Sequence, residues 1–479
     1  LRFPDYVPNL LKTGQCLLIS KAQDRVLETD PHRKTRGRGL KLAALTSLAS
    51  KGGNVLLQLV GMGIAFRVLG VEEFGVVAMI STLISFVILS ELGVGPGLTN
   101  VLAKSIASND RVRASQAFTT AFLLTVGLAA IGCLMVVGVV MNVPVATLFG
   151  EQFAPYAESM RNGILLGVVI VFIKMVTSLG DRARAAYQET FITNLYGALG
   201  NIISGIVLIV GIHAVPKVWF VILVVNGGLA LALLVNMIHL WIQRPHLIPK
   251  WSKLDTQLVR FLLTDGLAFC ATLSLAPMAK EFGLRLILGH VGGPVAVALF
   301  DILERLMVMV FGFIVMFTFP LWPALSDAAA RSDFAWIRSA RKRLYVLAGG
   351  YTLLFTASLT VFGAWVIQLW LGEEILIERV TLFAFSLYVS MHVWHHVHHI
   401  FLAGLDSIRT VAMVVLIELP FFLLAGYFGY TLYGFPGLFL SLALVGSVAT
   451  CVFPHLPLQR MRTLERDAAS APPSSSLDD

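Results

Sequence analysis

Charged residues are scarce in this sequence. Of its 479 residues, 13% are charged and 57% are hydrophobic, and the mean hydropathy is +0.81, whereas soluble domains carry about 25% charged residues. The apolar residues form long continuous runs, and about 20 such residues suffice for a helix to cross a bilayer core. Strands of a membrane barrel would instead alternate polar and apolar residues. The sequence therefore predicts an all-α integral membrane protein.

Cysteines and catalytic motifs are also scarce. The four cysteines, Cys16, Cys133, Cys270 and Cys451, lie far apart, which argues against a disulfide framework or a cysteine metal site. The sequence has no GxxxxGK[ST] loop, no HExxH and no GxSxG motif, so it lacks these devices for binding phosphates and for hydrolysis. We expect no enzyme activity, no metal site and no bound cofactor.

The apolar residues divide into twelve predicted membrane spans. Numbered in chain order, they cover residues 42–66, 74–98, 116–140, 161–180, 190–212, 218–242, 258–289, 295–323, 344–371, 377–404, 411–430 and 435–457. When the N-terminus is placed in the cytoplasm, 27 Lys and Arg fall in cytoplasmic segments or at the adjoining span ends, and 4 fall in external segments or at their adjoining span ends. Because cytoplasmic loops are enriched in Lys and Arg, we expect both termini inside. The net charge of +8 then reflects topology, and no nucleic-acid partner is expected.

The spans and their connections predict five regions. They are a basic, disordered cytoplasmic tail (1–41), an N-lobe with spans 1–6 (42–242), a cytoplasmic linker (243–257), a C-lobe with spans 7–12 (258–457) and a disordered cytoplasmic tail (458–479). An internal repeat supports the two lobes, because short stretches match at an offset near 220. The matches are Arg67–Gly70 with Leu286–Gly289, Ala186–Gln188 with Gly404–Asp406, and Pro216 with Pro436. Six spans per lobe give both lobes the same orientation, related by a pseudo-twofold axis along the membrane normal.

Proline and glycine interrupt the second span of each lobe. The interruptions are Gly93–Gly97 and Phe319–Pro323. Matching interruptions in two halves of a transporter indicate gating elements, which makes Pro96, Pro320 and Pro323 candidate gating residues. The alternative is that both spans simply end there, since residues before proline disfavour helix.

Several charged residues lie inside predicted spans, where a charge is costly unless it faces a partner or water. Glu281 with Arg285, and Asp301 with Arg305, have the i,i+4 spacing of pairs on one helix face. Lys280 and Glu304 have no such partner and could pair across spans 7 and 8. The structural alternative is that these groups only neutralise each other.

The functional alternative for these charges is a water-filled cavity between the lobes. Its cationic, substrate-binding lining would comprise Lys51, Lys174, Lys280, Arg285 and Arg305. Such a lining suits an anionic substrate, above all a phosphate or diphosphate. Lys51 and Lys174 also lie where they could extend to the membrane surface. Acidic residues of the spans would form the polar lumen or couple transport to ions: Glu91, Asp265 and Glu304.

Span 10 carries five histidines within eight residues. His392, His395, His396 and His399 have the i, i+3, i+4, i+7 spacing of one helix face. This spacing permits a proton relay or a substrate contact, or a metal site. The alternative is a polar stripe whose rings bond to neighbouring groups.

Three stretches of the sequence carry a family resemblance. They are Phe66–Gly75 continued by Glu91–Gly97, Ala186–Glu189 with Asn194–Tyr196, and Leu321–Asp327 with Ala335–Arg338. They resemble the polysaccharide (O-antigen-type) flippases of the multidrug/oligosaccharidyl-lipid/polysaccharide exporter superfamily, over about residues 42–457. The resemblance implies two six-helix lobes in the bacterial inner membrane that move a polyprenyl-diphosphate-linked oligosaccharide to the outer leaflet, for cell-surface polysaccharide assembly. It also implies coupling to an ion gradient, contact with membrane lipids, and a polysaccharide polymerase or glycosyltransferases as partners.

A second function is open on the residues alone. An ion-coupled, multidrug-type antiporter for cationic compounds would use an acidic and aromatic cavity, and Glu91, Asp265, Glu304 and Glu418 would suit it. The intramembrane lysines and arginines count against it. A membrane scaffold is disfavoured by the costly buried charges, and a membrane enzyme has only the histidines of span 10 to support it.

Overall fold

The computed structural model describes residues 46–47, 49–87, 93–270, 275–318, 321–372, 377–405, 408–452 and 455–470. Within this part of the chain the regular structure is helical, without strands. The α-helices, in chain order, are α1 (Met62–Val87), α2 (Val94–Ala107), α3 (Arg111–Asn142), α4 (Val145–Phe149), α5 (Ala157–Ala186), α6 (Thr190–Gly211), α7 (Val218–Gln243), α8 (Thr256–Cys270), α9 (Ala276–Thr318), α10 (Leu321–Ala330), α11 (Phe334–Leu371), α12 (Arg379–Gly404), α13 (Ile408–Val452) and α14 (His455–Ser470). A π-helical turn, Leu56–Gly61, precedes α1.

Seven helical stretches of the described chain are long and apolar enough to cross a membrane. Two of them, Ala49–Ser85 and Met413–Val448, bend sharply and so contain parts of two spans each. Many apolar side chains are exposed on the outer helix faces, among them Val210 at 70% and Leu353 at 73%. Exposed apolar surface of this extent is expected where lipid is the solvent. The protein is thus a multi-pass membrane protein.

Glycine corners join the first two spans of each lobe without a loop. The sequence predicted a connection at 67–73, but α1 continues through it and bends only at Gly70, where φ is +79°. In the C-lobe, α9 bends at Gly293, where φ is +68°. Only glycine adopts this left-handed region without strain, so one residue suffices to reverse the chain. A third corner lies at Gly434, with φ of +61°, inside α13.

The internal repeat is visible in the backbone. Gly70 and Gly293 are 223 residues apart, as are Asn109 and Ser332, which both have a positive φ in the turn after the second span. Asp110 and Asp333 follow these turns, and each carboxylate accepts a backbone hydrogen bond at the start of the next helix. The sequence predicted an offset near 220 but matched Gly70 with Gly289, four residues too early. That match was wrong because it compared residue types along the sequence, whereas the backbone corner, which requires glycine, sets the register of the repeat.

The lobes contact each other closely near the glycine corners. The Arg67 guanidinium donates to the carbonyl oxygens of Leu369 (2.5 Å) and Trp370 (2.8 Å) of the C-lobe. In return, the indole nitrogen of Trp370 donates to the carbonyl of Leu59 at 2.6 Å. We call this end of the molecule the corner side, and the end with the turns at Asn109 and Ser332 the turn side. On the corner side, these hydrogen bonds join the two lobes.

Two segments on the turn side are more ordered than expected from composition. The predicted linker forms two short 3-10 helices, Pro245–Leu247 and Trp251–Lys253, packed along α3. The predicted disordered tail 458–479 is helical as far as Ser470, because α14 buries Met461 at 3% exposure against the C-lobe. That part of the prediction was wrong, because α14 is polar in overall composition but has one apolar face that packs against the C-lobe. The tail 1–41 lies outside the described residues.

Candidate functional site

The bend of α9 brings two charged segments of one helix together. Arg285 lies eight residues before Gly293 and Asp301 eight residues after it, which at 1.5 Å per residue places both about 12 Å from the corner. Their side chains therefore meet: a guanidinium nitrogen of Arg285 lies 3.1 Å from Asp301 Oδ1. The contact depends on the corner, because residues sixteen apart in a straight helix would be about 24 Å apart.

Arg285 is the centre of this cluster. Its guanidinium lies 2.6 Å from Glu281 and 2.5 Å from Glu304, in addition to Asp301, and the side chain is only 5% exposed. Arg305 lies 2.7 Å from the other oxygen of Asp301. Both i,i+4 pairs predicted from the sequence are therefore present. They form one network, because Asp301 is shared by the two arginines.

Arg305 also joins the cluster to the N-lobe. Its guanidinium donates to the side-chain oxygen of Gln58 in the π-helical turn before α1. The same group lies 5.9 Å from the centroid of the Phe74 ring in α1. The cluster is thus placed at the interface between the lobes, close to the corner side.

Lys280 has a different partner from the predicted one. Its amine lies 2.7 Å from Glu418 of α13, and 5.0 Å from the Phe422 ring on the same helix. The sequence predicted a pair with Glu304, but Glu304 is taken by Arg285. The prediction was wrong because α13 packs against α9 here, and such a long-range neighbour is not visible in residue spacing. Together, three cations face four carboxylates in this region: Lys280, Arg285 and Arg305 with Glu281, Asp301, Glu304 and Glu418.

The predicted cationic residues of the N-lobe stand apart from this cluster. Lys174 is half-buried on α5 and makes no salt bridge to another described residue, and Lys51 is exposed at the start of span 1. Of the predicted acidic residues, Glu91 lies outside the described residues, and Asp265 lies within α8. The structure therefore brings three of the five predicted cations together and leaves two elsewhere.

The predicted gating residues lie where short helices begin. Gly93, with φ of +74°, precedes α2, and Pro96 lies in the first turn of that helix. Pro323 lies in the first turn of α10, and Pro320 is outside the described residues. The chain is helical after each interruption, for 14 residues in α2 and 10 in α10. Residues 88–92 and 319–320, which precede these helices, lie outside the described residues.

The histidines of α12 are engaged within the C-lobe. His396 lies 2.7 Å from the Thr318 hydroxyl, His395 lies 2.8 Å from the Gly446 carbonyl, and the His392 ring packs edge-on against Phe311. The rings of His395 and His399 are 6.2 Å apart. Among the described residues, no group of three or more His, Cys, Asp or Glu is arranged to hold a metal ion.

His398, which does not share the helix face of the other four histidines, is bonded to two groups. It accepts or donates at 2.9 Å to the Tyr345 hydroxyl of α11 and contacts the Trp394 carbonyl at 2.6 Å. It is 1% exposed. The histidines therefore link α12 to α9, α11 and α13 rather than forming one isolated stripe.

Sequence reasoning missed a polar network in the N-lobe. Arg184 was assigned to a loop, but it is fully buried and lies 2.9 Å from Glu189 and 2.6 Å from the Asn236 side-chain oxygen. The Asn236 amide in turn donates to Asp181 at 2.5 Å. A cavity of about 200 Å³ adjoins this network and is lined by Asp181 and by polar residues of α6. The signal was available in Asn236, one of three polar side chains in the predicted span 218–242, with Asn226 and His239.

The linker covers the turn side of α3. The Ser115 hydroxyl donates to the carbonyl of His246 at 2.5 Å and accepts from the Lys253 amine at 2.6 Å. Burial lowers the pKa of His246, and the nearby charges of Arg111, Arg244 and Lys253 lower it further. The ring is therefore neutral at pH 7 and adds no charge to this strongly basic junction.

Comparison with known proteins identifies the family. The family described as "Polysaccharide biosynthesis protein" matches residues 43–329, more than half of the chain. The chain belongs to this family. Among curated proteins, none matches this family member significantly.

Solved transporter structures share the fold of this polysaccharide biosynthesis family protein. An inward-facing multidrug resistance MATE family transporter of the MOP superfamily has a TM-score of 0.74 at 15% identity, covering 88% of this chain and 99% of its own. The outward-facing conformation of such a transporter gives 0.64 at 14% identity, with 89% and 96% coverage. A MOP superfamily transporter from Pyrococcus furiosus gives 0.62 at 15% identity, with 89% and 97% coverage. The fold is therefore the two-lobe, twelve-helix fold with a pseudo-twofold axis along the membrane normal.

Proposed function

We propose that this protein is a flippase that moves a polyprenyl-diphosphate-linked oligosaccharide from the inner to the outer leaflet by alternating access of its two lobes. Its family and fold are those of membrane exporters. We place it in the bacterial inner membrane with both termini in the cytoplasm, on the basis of the 27 to 4 distribution of Lys and Arg. A polysaccharide polymerase or glycosyltransferases would act with it.

The observation that carries the proposal is the charge cluster between the lobes. Lys280, Arg285 and Arg305 are 16%, 5% and 14% exposed and are all held by carboxylates. A diphosphate offers the same oxygen ligands as carboxylates, and arginine binds both in a bidentate manner. The substrate headgroup would therefore exchange with Glu418 or Glu304 on these cations, while its lipid tail remains between the lobes in the bilayer.

The excess of carboxylates gives a route for ion coupling. With three cations against four carboxylates, a proton or another small cation would neutralise the remaining charge, which is costly to bury alone. Protonation of Glu418 would release Lys280 for the diphosphate, and loss of that proton would restore the ion pair and expel the substrate. In this scheme a transmembrane ion gradient supplies the driving force, and no resident cofactor takes part.

The contacts on the corner side support an inward-open starting state. Arg67 and Trp370 join the lobes there, and this side is external in the predicted orientation. A substrate from the inner leaflet would enter from the turn side, past α2 and α10. The hydrogen bonds of Arg67 to backbone carbonyls would then break as the lobes rock to the outward-open state. Pro96 and Pro323 would act as gates at the starts of α2 and α10.

The test is translocation in proteoliposomes with a fluorescent polyprenyl-diphosphate oligosaccharide in the inner leaflet. We expect transport by the wild type, and a loss of about 100-fold for Lys280→Ala with Arg305→Ala, corresponding to about 3 kcal/mol of lost phosphate contacts. Lys280→Arg with Arg305→Lys conserves the charge and should retain part of the activity. Arg343→Gln removes an exposed charge of α11 and should be neutral.

The alternative is an ion-coupled antiporter for cationic small molecules. The excess of carboxylates over cations in the cluster is the observation that favours it. Export of cationic dyes by proteoliposomes that move no lipid-linked sugar would replace the flippase with this antiporter. Transport of lipid-linked sugar by a folded Lys280→Ala, Arg305→Ala protein at the wild-type rate would instead remove the charge cluster from the mechanism.

A further inference from the structure

The turn-side faces of α3 and α11 correspond to each other but are covered differently. At the repeat offset of 223 residues, Ser115, Phe118 and Thr119 of α3 occupy the positions of Arg338, Arg341 and Lys342 of α11. The α3 face is covered by the linker, whose backbone and side chains bind Ser115, Thr119 and Thr120. Among the described residues, the α11 face is contacted by α12 through Tyr345 and His398, and by α14 through an ion pair of 2.5 Å between Arg338 and Glu465.

A groove remains open on the α11 face. It has a volume of about 490 Å³ and is lined by Arg338, Arg341, Lys342, Tyr345 and Val346. These residues have helical spacing on one face. Arg341 also lies 5.9 Å from the Tyr345 ring. The groove thus presents three cations and one aromatic ring at the point where the apolar part of α11 begins.

The same face continues into the membrane as apolar surface. Val346 is 69% exposed and Leu353 is 73% exposed. Between them, Gly350 has nothing within 4 Å of where a side chain would begin, so the helix surface is recessed there. This face of α11 is about 10–20 Å long at 1.5 Å per residue. Its cationic end matches a phosphate headgroup, and its recessed apolar end matches an acyl chain.

We propose that this groove, defined by Arg338, Arg341, Lys342, Val346 and Gly350, binds an anionic membrane phospholipid. The lipid phosphate accepts hydrogen bonds from the two arginines and the lysine, and one acyl chain lies along Val346, Gly350 and Leu353. Lys and Arg at the cytoplasmic end of a span attract anionic lipids, by about 1 kcal/mol for each charge. The lipid thus covers the face of α11 in the C-lobe that corresponds to the linker-covered face of α3 in the N-lobe.

The test is native mass spectrometry of the purified full-length protein, titrated with phosphatidylglycerol. For Arg338→Gln, Arg341→Gln and Lys342→Gln combined, we expect affinity to fall about fivefold for each charge removed. A matched control, Arg331→Gln, Arg343→Gln and Arg462→Gln, removes the same number of exposed cations outside the groove and should bind as the wild type does. Equal losses in the two triple variants would overturn the proposal, since they would indicate a nonspecific attraction.

A second pair of variants tests the acyl-chain part. Gly350→Phe fills the recess and should weaken phosphatidylglycerol binding. Gly127→Phe is the corresponding change on α3, and its side chain also meets open space. It should have no effect on binding, because it lies away from the groove. Inorganic phosphate and pyrophosphate should compete only weakly. If pyrophosphate binds as tightly as the lipid, or if Gly350→Phe binds phosphatidylglycerol normally, the groove is an anion site without a lipid and the proposal fails.

Discussion

The two lobes repeat the same backbone arrangement, but residues at corresponding positions differ in charge. At the offset of 223 residues, the charged positions of the C-lobe have uncharged counterparts in the N-lobe: Glu281, Arg285, Asp301, Glu304 and Arg305 correspond to Gln58, Met62, Ala78, Ser81 and Thr82. The corners at Gly70 and Gly293 place both sets at the same distances along the chain from a bend. Charge at these positions is thus not needed to build the helix pair, because the N-lobe builds it with uncharged residues there.

This difference indicates that the charges of the cluster serve the function of the protein rather than its folding. Replacing a buried ion network by apolar residues is often neutral for stability, whereas removing one member leaves charges without partners. In addition, Gln58, the counterpart of Glu281, accepts a hydrogen bond from Arg305 across the lobe interface. The N-lobe therefore supplies a neutral acceptor to a cluster that the C-lobe holds.

The largest expected effect comes from converting one C-lobe position to its N-lobe counterpart. Arg285→Met should destabilise the protein by about 3–5 kcal/mol, because the largely buried Asp301 and Glu304, together with the more exposed Glu281, lose their shared cation. Thermal unfolding in detergent, followed by intrinsic fluorescence, measures this change.

The combined variant provides the control. Converting Glu281, Arg285, Asp301, Glu304 and Arg305 together to Gln, Met, Ala, Ser and Thr should recover most of the stability but abolish transport. If the combined variant is as unstable as Arg285→Met, the C-lobe needs the network to fold, and the comparison between the lobes fails.

The two glycine corners give a smaller effect that differs between the lobes. Alanine at either site must adopt a positive φ with ψ near 180°, a region used almost only by glycine, at a cost of about 1–3 kcal/mol. Gly293→Ala should cost more than Gly70→Ala, because its side chain would meet Gln152, whereas Gly70 has nothing within 4 Å. The ratio of folded to aggregated protein after a heat step ranks the two variants. Equal losses would show that only backbone conformation matters at these corners.

The smallest effect should be the same in both lobes. Asp110→Ala and Asp333→Ala each remove a carboxylate that accepts a backbone hydrogen bond, from Arg113 at 2.8 Å and from Trp336 at 3.0 Å. Each loss should cost about 1 kcal/mol. Asn at either position keeps an acceptor and should restore the stability. A large difference between the lobes in the melting temperatures of these variants would contradict the equivalence of the two turns.

The fold was largely predictable, but the partners within the site were not. Apolar runs and the charge distribution gave twelve spans and two lobes because lipid requires long, internally bonded helices. The i,i+4 pairs at Glu281 and Arg285, and at Asp301 and Arg305, followed from helix geometry. The pairing of Lys280 with Glu418 did not, because 138 residues separate them and only the packing of α13 on α9 brings them together.

The sequence by itself determined that the chain spans a membrane, and that its charges within the spans are unusual, because hydropathy and charge are local properties. It also determined the repeat, although not its register. Only the tertiary structure decided that Gly293 folds α9 onto itself and gathers Arg285, Asp301 and Glu304 around one guanidinium. It likewise decided that the linker covers α3 while α11 keeps an open basic groove. Both outcomes depend on contacts between residues far apart in the chain, which spacing along a single helix does not encode.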